Sequence, residues 1–141
     1  MTGSYYVCGR KLRCGWYRCV YQHRYVHDLI VKVAKKDSCA KNENEYKVWQ
    51  KYKDFPVSQL LCPCVEYVPG SYIVTKRCSP MPDWPAHVVQ SYIEQFKNLG
   101  FSDVQREDLG VLSGRLVMVD YAIPNVKLEK FVSPVFVTLV E

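Results

Sequence analysis

One lysine interrupts a short apolar run: Lys32 stands in Leu29–Ala34 among leucine, isoleucine, valine and alanine. A run of this length and composition is typical of a buried strand. The amino group then needs a partner, because an unpaired buried charge costs much free energy. The alternative is a lysine at a sheet edge whose amino group reaches water. The fold must therefore supply either an acidic side chain near Lys32 or an edge.

The hydrophobic pattern along the rest of the chain predicts an α+β fold with two helices. The predicted helices cover residues 42–53 and 86–98, where aromatic or apolar side chains recur at helical spacing. Asn42 is the predicted N-cap of the first helix, with Glu45 three residues later as in a capping box. Strands are predicted within residues 5–36 and at residues 60–68, 72–75, 111–112, 116–119 and 131–140.

The composition fits one globular domain, or one small domain with a tight appendage. The chain has 141 residues, 48% of them hydrophobic, which is enough to bury a core. No apolar run approaches the length of a membrane span and no secretory signal is evident, so we expect a cytoplasmic location and no membrane partner. The seven cysteines are then expected to be free, mostly buried thiols in a reducing compartment.

Positive charge is concentrated at the start of the chain. Residues 1–36 carry eight Lys/Arg and one Asp, a net charge of +7, whereas residues 37–141 carry eleven Lys/Arg and thirteen acids, a net charge of −2. A basic region attracts phosphate, on a nucleotide, a nucleic acid or an acidic partner. Arginine and tyrosine alternate along residues 13–25, a pattern that also suits nucleic acid.

Several acidic residues complete a pattern with Lys32. Glu45 lies in the first predicted helix, Asp103 and Asp108 are five residues apart, and Asp120 closes an apolar strand. A buried lysine, a glutamate that can hold it and carboxylates that can hold magnesium are the parts that bind and polarise a nucleoside triphosphate.

This order and spacing resemble a protein kinase. Lys32 resembles the strand lysine that contacts the α- and β-phosphates, and Glu45 resembles the helix glutamate that orients this lysine. Asp103 resembles the catalytic-loop aspartate that accepts the hydroxyl proton. Asp108 and Asp120 stand at the two metal-binding positions. The resemblance therefore implies ATP and Mg²⁺ as cofactors, with Asp103, Lys32 and Glu45 as catalytic residues.

The nucleotide contacts follow from the same resemblance. Residues 15–21 resemble the second half of a glycine-rich loop, in which Arg18 would grip phosphate through its forked donors. Residues 76–78 resemble the hinge whose backbone binds adenine, and Val20, Val31 and Leu112 would enclose the ring. The implied nucleotide-binding residues are Gly15, Tyr17, Arg18, Val20, Lys32, Lys76 and Cys78.

The resemblance implies a protein-kinase-like α+β fold in two parts. Residues 1–78 would form an N-lobe with an antiparallel sheet, one helix and the hinge, and residues 79–141 a strongly reduced C-lobe with the catalytic and metal loops. Only 21 residues follow Asp120, and the Ala-Pro-Glu signature of the substrate-binding lobe is missing. Small kinase-like proteins of bacteriophages are similarly compact, which indicates a viral protein in the host cytoplasm.

Three functions are compatible with these features. We expect a pseudokinase-like protein that retains an ATP and magnesium site and acts by binding and modulating a host protein. The first alternative is an active minimal ATP-dependent phosphotransferase, and the second is a basic nucleic-acid-binding module. Residues 135–140 form an apolar tail that is expected to pack on its own sheet, or to pair with a partner or a second copy in a homodimer.

Overall fold

The computed structural model describes residues 5–101 and 103–121 and shows an α+β protein in this part of the chain. The helices are α1 (Cys39–Tyr52) and α2 (Ala86–Asn98), with two 3₁₀ segments at Pro56–Leu60 and Arg106–Asp108. The strands are β1 (Cys8–Cys14), β2 (Arg18–His23), β3 (Leu29–Ala34), β4 (Cys64–Val68), β5 (Tyr72–Lys76), β6 (Ser79–Pro80), β7 (Leu109–Leu112) and β8 (Arg115–Met118).

The first five strands form one antiparallel sheet in the order β1-β2-β3-β5-β4. The central strand β3 is the apolar run that contains Lys32. Side chains alternate between the two faces of a strand. Val31 and Val33 therefore pack with Val74 in a small core on one face, while Ile30 and Lys32 point to the other face.

The last three strands form a second antiparallel sheet in the order β6-β7-β8. It is joined to the first part of the chain at Leu61, which pairs with Met118, and at Cys62, whose backbone N–H donates to the carbonyl of Met118 at 2.8 Å. A larger core packs side chains of both helices, among them Val48, Tyr52 and Phe96, against Leu116 of this sheet. This core fixes the position of the second sheet relative to α1.

Two sequence predictions agree closely with the structure. The helix predicted at residues 86–98 is α2, Ala86–Asn98. The strands predicted at residues 111–112 and 116–119 form the hairpin β7–β8, which turns at Ser113 and Gly114. Both turn residues have positive φ, 53° at Ser113 and 78° at Gly114, as the favoured two-residue hairpin turns require.

The predicted start of the first helix is wrong. Helix α1 begins at Cys39 with Ser38 as its N-cap residue, and Asn42 is buried inside the helix. Asparagine is common at N-caps, but here its amide is used for tertiary hydrogen bonds. The strand predicted at residues 60–68 is also shorter, since β4 covers only Cys64–Val68.

The prediction of seven free thiols is wrong for two cysteines. Cys14 and Cys19 form a disulfide between the end of β1 and the start of β2. These residues are directly opposite in the β1–β2 register, so the tight hairpin brings their sulfur atoms together. The other five cysteines are free, and Cys39 is exposed.

Some predictions fall on other parts of the chain. The strand at residues 131–140 and the homodimer segment at residues 135–140 lie outside the described residues. Neither helix within the described part has the length and apolar character that a membrane span requires.

Candidate functional site

A buried ion pair joins the central strand to helix α1. The Lys32 Nζ lies 2.9 Å from Oε2 of Glu45 and donates a second hydrogen bond, of 2.6 Å, to the backbone carbonyl of Val119. The Glu45 side chain is completely buried and Lys32 is 3% exposed. Of the two alternatives for Lys32, the structure shows the buried lysine with an acidic partner and excludes the lysine at a sheet edge.

Arg18 and Asn42 extend this pair into a network. One guanidinium nitrogen of Arg18 lies 3.1 Å from Oε1 of Glu45, and the other donates to the Asn42 side-chain oxygen at 3.2 Å. The Asn42 amide nitrogen in turn donates to the carbonyl of Lys32 at 3.1 Å. Both Glu45 oxygens therefore have a cationic partner, which a buried carboxylate needs to offset its lost hydration.

Asp120 closes the network on its exposed side. Its Oδ1 lies 3.0 Å from the Arg18 guanidinium, and its side chain is 43% exposed. Burial opposes the charged form of Arg18, but the Glu45 and Asp120 carboxylates raise the pKa of its guanidinium above the ordinary value. Two cations and two anions are thus linked in the order Lys32, Glu45, Arg18 and Asp120. The charges of the four side chains balance.

Arg18 is held by protein groups in the structure. The resemblance to protein kinases implies a phosphate contact for its guanidinium, whereas here the side chain is 8% exposed and contacts two carboxylates of the protein. One feature of the sequence indicates that Arg18 is buried with an acidic partner. Arg18 precedes apolar strand residues, and Lys32 likewise stands within an apolar strand. The two partners of Arg18 lie far away along the chain, and the strand pattern did not identify them.

A cavity of about 830 Å³ is lined by residues of both sheets. Its size is within the range of small-molecule and cofactor sites. Val119 lines this cavity and also accepts the Lys32 hydrogen bond. The ion pair therefore lies directly behind the cavity wall. Its apolar lining residues include Val20, Ile30, Met81 and Leu109.

The apolar residues that enclose the cavity differ in part from those predicted. Val20 lines it as expected. Val31 does not, because it is fully buried in the core on the opposite face of the sheet. Leu112 is not part of the lining. Ile30, one residue before Val31, and Leu109, three residues before Leu112, take these places.

The segment after β5 lies at the cavity as predicted. Lys76 and Cys78 both line it. The amino group of Lys76 points outward to Asp28, at 3.3 Å. The backbone N–H of Arg77 donates to the carbonyl of Asp28 at 2.7 Å. This segment is held against the turn before β3 and presents backbone and one thiol to the cavity.

Gly15 and Tyr17 lie away from the cavity, in the turn between β1 and β2. The N–H of Gly15 donates to the Arg18 carbonyl at 2.8 Å. The neighbouring Trp16 is 90% exposed, and the Tyr17 ring packs under the amino group of Lys41 at 4.7 Å. Neither predicted nucleotide contact lines the cavity. The residues of this hairpin that do are Leu12, Arg13 and Val20.

Asp108 is the acidic residue whose surroundings are most unusual. Its pKa is raised to about 6, mainly by burial and then by the nearby charges of Asp120, Glu107 and Asp103, whereas a hydrogen bond from the Gln105 N–H lowers it. The Asp108 Oδ2 accepts that bond at 2.9 Å. Asp103 is exposed. The charges of the other two predicted aspartates, Asp103 and Asp120, therefore both act on Asp108.

The aspartates do not form a complete metal site by themselves. Within residues 5–101 and 103–121, no group of three or more His, Cys, Asp or Glu side chains is arranged to hold a metal ion. Magnesium at nucleotide sites usually takes one or two carboxylates and completes its shell with phosphate oxygens and water. The pair Asp108 and Asp120, which repel each other, fits this kind of donor set.

No protein-family model matches the chain, and no curated protein matches it.

Proposed function

We propose that this protein binds a nucleoside triphosphate with magnesium in the cavity between its two sheets, in the manner of a protein kinase. The observation that carries the proposal is the Lys32–Glu45 pair. A strand lysine held by a helix glutamate is required to place phosphates in protein kinases. Here the lysine lies 2.6 Å from a carbonyl of the cavity wall.

The cavity suits a nucleotide in its dimensions and chemistry. Val20 and Leu109 provide apolar walls for a base, and the backbone of residues 76–78 provides polar groups at one edge. Arg13 also lines the cavity and is available for phosphate. A few polar groups in a mostly apolar cavity are typical of a ligand site.

Asp108 and Asp120 are the residues that would hold the magnesium ion. Burial and the charge of Asp120 raise the pKa of Asp108, and a bound cation would offset the repulsion between the two carboxylates. The ion would neutralise phosphate charge next to the two carboxylates. Asp120 would then share its charge between the ion and Arg18, which lies 3.0 Å away.

We favour a protein that acts by binding, as a pseudokinase-like modulator of a host protein, over one that transfers phosphate. Lys32 and Asp120 are both engaged by protein groups, the Val119 carbonyl and Arg18. The exposed Trp16 and Tyr17 of the β1–β2 turn provide a surface for a protein partner. Tryptophan, tyrosine and arginine are the residues that most often dominate protein interfaces.

Calorimetric titration of magnesium-ATP into the protein tests the nucleotide site. We expect saturable binding by the wild type, at least tenfold weaker binding by Asp120→Asn, and no change in Asp54→Asn, whose side chain is exposed and belongs to no site. The Asp120→Asn defect should disappear when ATP is titrated without magnesium. A folded wild type that does not bind magnesium-ATP would overturn the proposal.

Phosphate transfer remains the second candidate function because Asp103 lies close enough to Asp108 for its charge to act on it. Transfer of labelled phosphate that is lost in Asp103→Asn would favour an active kinase.

The basic strand β1 supports the nucleic-acid alternative, since its Arg10, Lys11 and Arg13 side chains are exposed. Binding of single-stranded nucleic acid with a steep salt dependence would support that alternative.

A further inference from the structure

Two cysteine thiols meet in the wall of the cavity. The Sγ atoms of Cys62 and Cys78 lie 3.3 Å apart, and both residues line the cavity. Cys62 is placed by its backbone N–H bond to the Met118 carbonyl, and Cys78 stands between β5 and β6. The nucleotide site has no chemical use for a thiol pair, so the pair calls for a separate explanation.

The hydrogen bond between the thiols makes them chemically unequal. Cys78 donates to the sulfur of Cys62. This bond, opposed by burial and assisted by the charge of Lys32, lowers the pKa of Cys62, and it raises the pKa of Cys78. Thiolate is the reactive form of cysteine. The nucleophilic sulfur therefore belongs to Cys62, and Cys78 holds the proton beside it.

We propose that Cys62 and Cys78 are a redox-active dithiol that hydrogen peroxide converts into a disulfide in the cavity wall. The Cys62 thiolate attacks one peroxide oxygen and the O–O bond breaks, so Cys62 becomes a sulfenic acid. The departing hydroxide takes a proton from solvent and leaves as the first water. The Cys78 sulfur then attacks the Cys62 sulfur. The S–O bond breaks, and the second water leaves with the Cys78 proton. Two thiols are oxidised by two electrons and one peroxide is reduced to two waters.

The geometry requires little movement for this step. A disulfide bond has a length of about 2.04 Å, so the two sulfurs must approach by about 1.3 Å from their separation of 3.3 Å. The oxidised pair would also lose the Cys62 hydrogen bond to the Lys76 carbonyl, now 3.1 Å. That carbonyl belongs to the segment that borders the cavity, so oxidation would change the cavity wall.

Cys64 is the natural comparison because it stands two residues from Cys62. Burial raises the pKa of the Cys64 thiol to about 12, and its sulfur lies 3.4 Å from the Tyr121 hydroxyl. It does not line the cavity. The structure therefore assigns the reaction to Cys62 and excludes its neighbour as the partner of Cys78.

Mass spectrometry of the native, reduced protein after exposure to hydrogen peroxide tests this assignment, and it needs no nucleotide. Free thiols are blocked with iodoacetamide before digestion with trypsin, which places Cys62 and Cys64 in peptide 54–76 and Cys78 in peptide 78–97. We expect these peptides to be joined, with Cys64 alkylated. Their mass should lie two hydrogens below the sum of peptide 54–76 carrying that one alkyl group and unmodified peptide 78–97, and they should separate after treatment with dithiothreitol.

Matched serine variants identify the cysteine in peptide 54–76. The joined peptides should persist in Cys64→Ser and be lost in Cys62→Ser and in Cys78→Ser. Joined peptides in Cys62→Ser would contradict the assignment. So would a wild type in which Cys62 reaches sulfinic acid while Cys78 is alkylated, or in which both cysteines are alkylated after peroxide treatment.

Discussion

The Lys32 amino group and the Glu45 carboxylate meet at 2.9 Å inside the protein, and both side chains are almost completely buried. The pair connects β3 to α1 and, through Val119, connects both to the wall of the cavity. This relationship makes the sheet, the helix and the cavity parts of one site.

Replacing Glu45 by glutamine should destabilise the protein by about 3 kcal/mol, because it leaves the buried cations Lys32 and Arg18 without their shared carboxylate. The free energy of unfolding in urea measures this loss. Glu43→Gln is the control, since Glu43 forms only an exposed pair with Lys47, and such pairs contribute less than about 1 kcal/mol. An equal loss of unfolding free energy in the two variants would contradict the role of Glu45 as the shared partner of Lys32 and Arg18.

Asp108 should make the metal-free protein less stable as the pH rises. Its pKa in the folded protein is about 6, above the ordinary 3.8, so the folded state holds the proton more tightly than the unfolded state. The stability present below pH 3.8 is therefore lost as the pH rises through about 6.

Asp108→Asn removes this titration and can still accept the Gln105 hydrogen bond. We expect the variant to be more stable than the wild type by about 1 kcal/mol at neutral pH, a value reduced for the half-exposed site. The difference should vanish near the ordinary aspartate pKa. The measurement is thermal unfolding of the wild type and the variant across this pH range in the presence of a chelator. A stability difference that does not change with pH would contradict the raised pKa of Asp108.

Gly110 is predicted to tolerate no side chain. A Cβ there would lie 2.8 Å from Cγ1 of Val119 and 3.0 Å from Cβ of Cys78. Gly110→Ala should therefore cost about 1–3 kcal/mol, as overpacking does, and weaken ligand binding in the cavity that Gly110 lines. Gly15→Ala is the control, since the nearest atom is 3.9 Å away. A fully stable Gly110→Ala variant would contradict the close contacts of Gly110 with Val119 and Cys78.

Tyr121 anchors the end of the described chain through its hydroxyl. This group donates to the Cys62 carbonyl at 2.5 Å in a fully buried position. Tyr121→Phe removes the donor and leaves a buried acceptor unpaired, which should cost about 1–3 kcal/mol. Tyr17→Phe should change the free energy of unfolding very little, because that ring is exposed. Chemical denaturation of both variants measures how much each hydroxyl contributes to the free energy of unfolding.

The local spacing of apolar and turn residues predicts the elements whose residues contact others close to them in the sequence. Helix α2 and the β7–β8 hairpin follow from apolar spacing and from a turn that suits positive φ. The pair Lys32–Glu45 was also predicted, because a lysine in an apolar strand needs a carboxylate. The resemblance to protein kinases identifies Glu45 as its partner, because the lysine alone does not indicate which carboxylate pairs with it.

Contacts between distant residues could not be predicted in the same way. Asn42 has the residue type and position of an N-cap, but its amide joins Arg18 to the Lys32 carbonyl. The thiol pair Cys62–Cys78 depends on how β4 and β5 place their flanking segments. These contacts are determined by tertiary packing between distant segments, and the local pattern of the sequence does not reveal them.

The most direct test of the central claim is a titration of magnesium-ATP followed by ¹H–¹⁵N NMR. The account predicts saturable shifts of backbone amides at Val20, Cys78, Leu109, Gly110 and Val119, which surround the cavity. The exposed basic residues Arg10 and Arg24 serve as the internal control and should move little. Shifts confined to that basic surface, or no shifts in a folded protein, would contradict a nucleotide site between the two sheets.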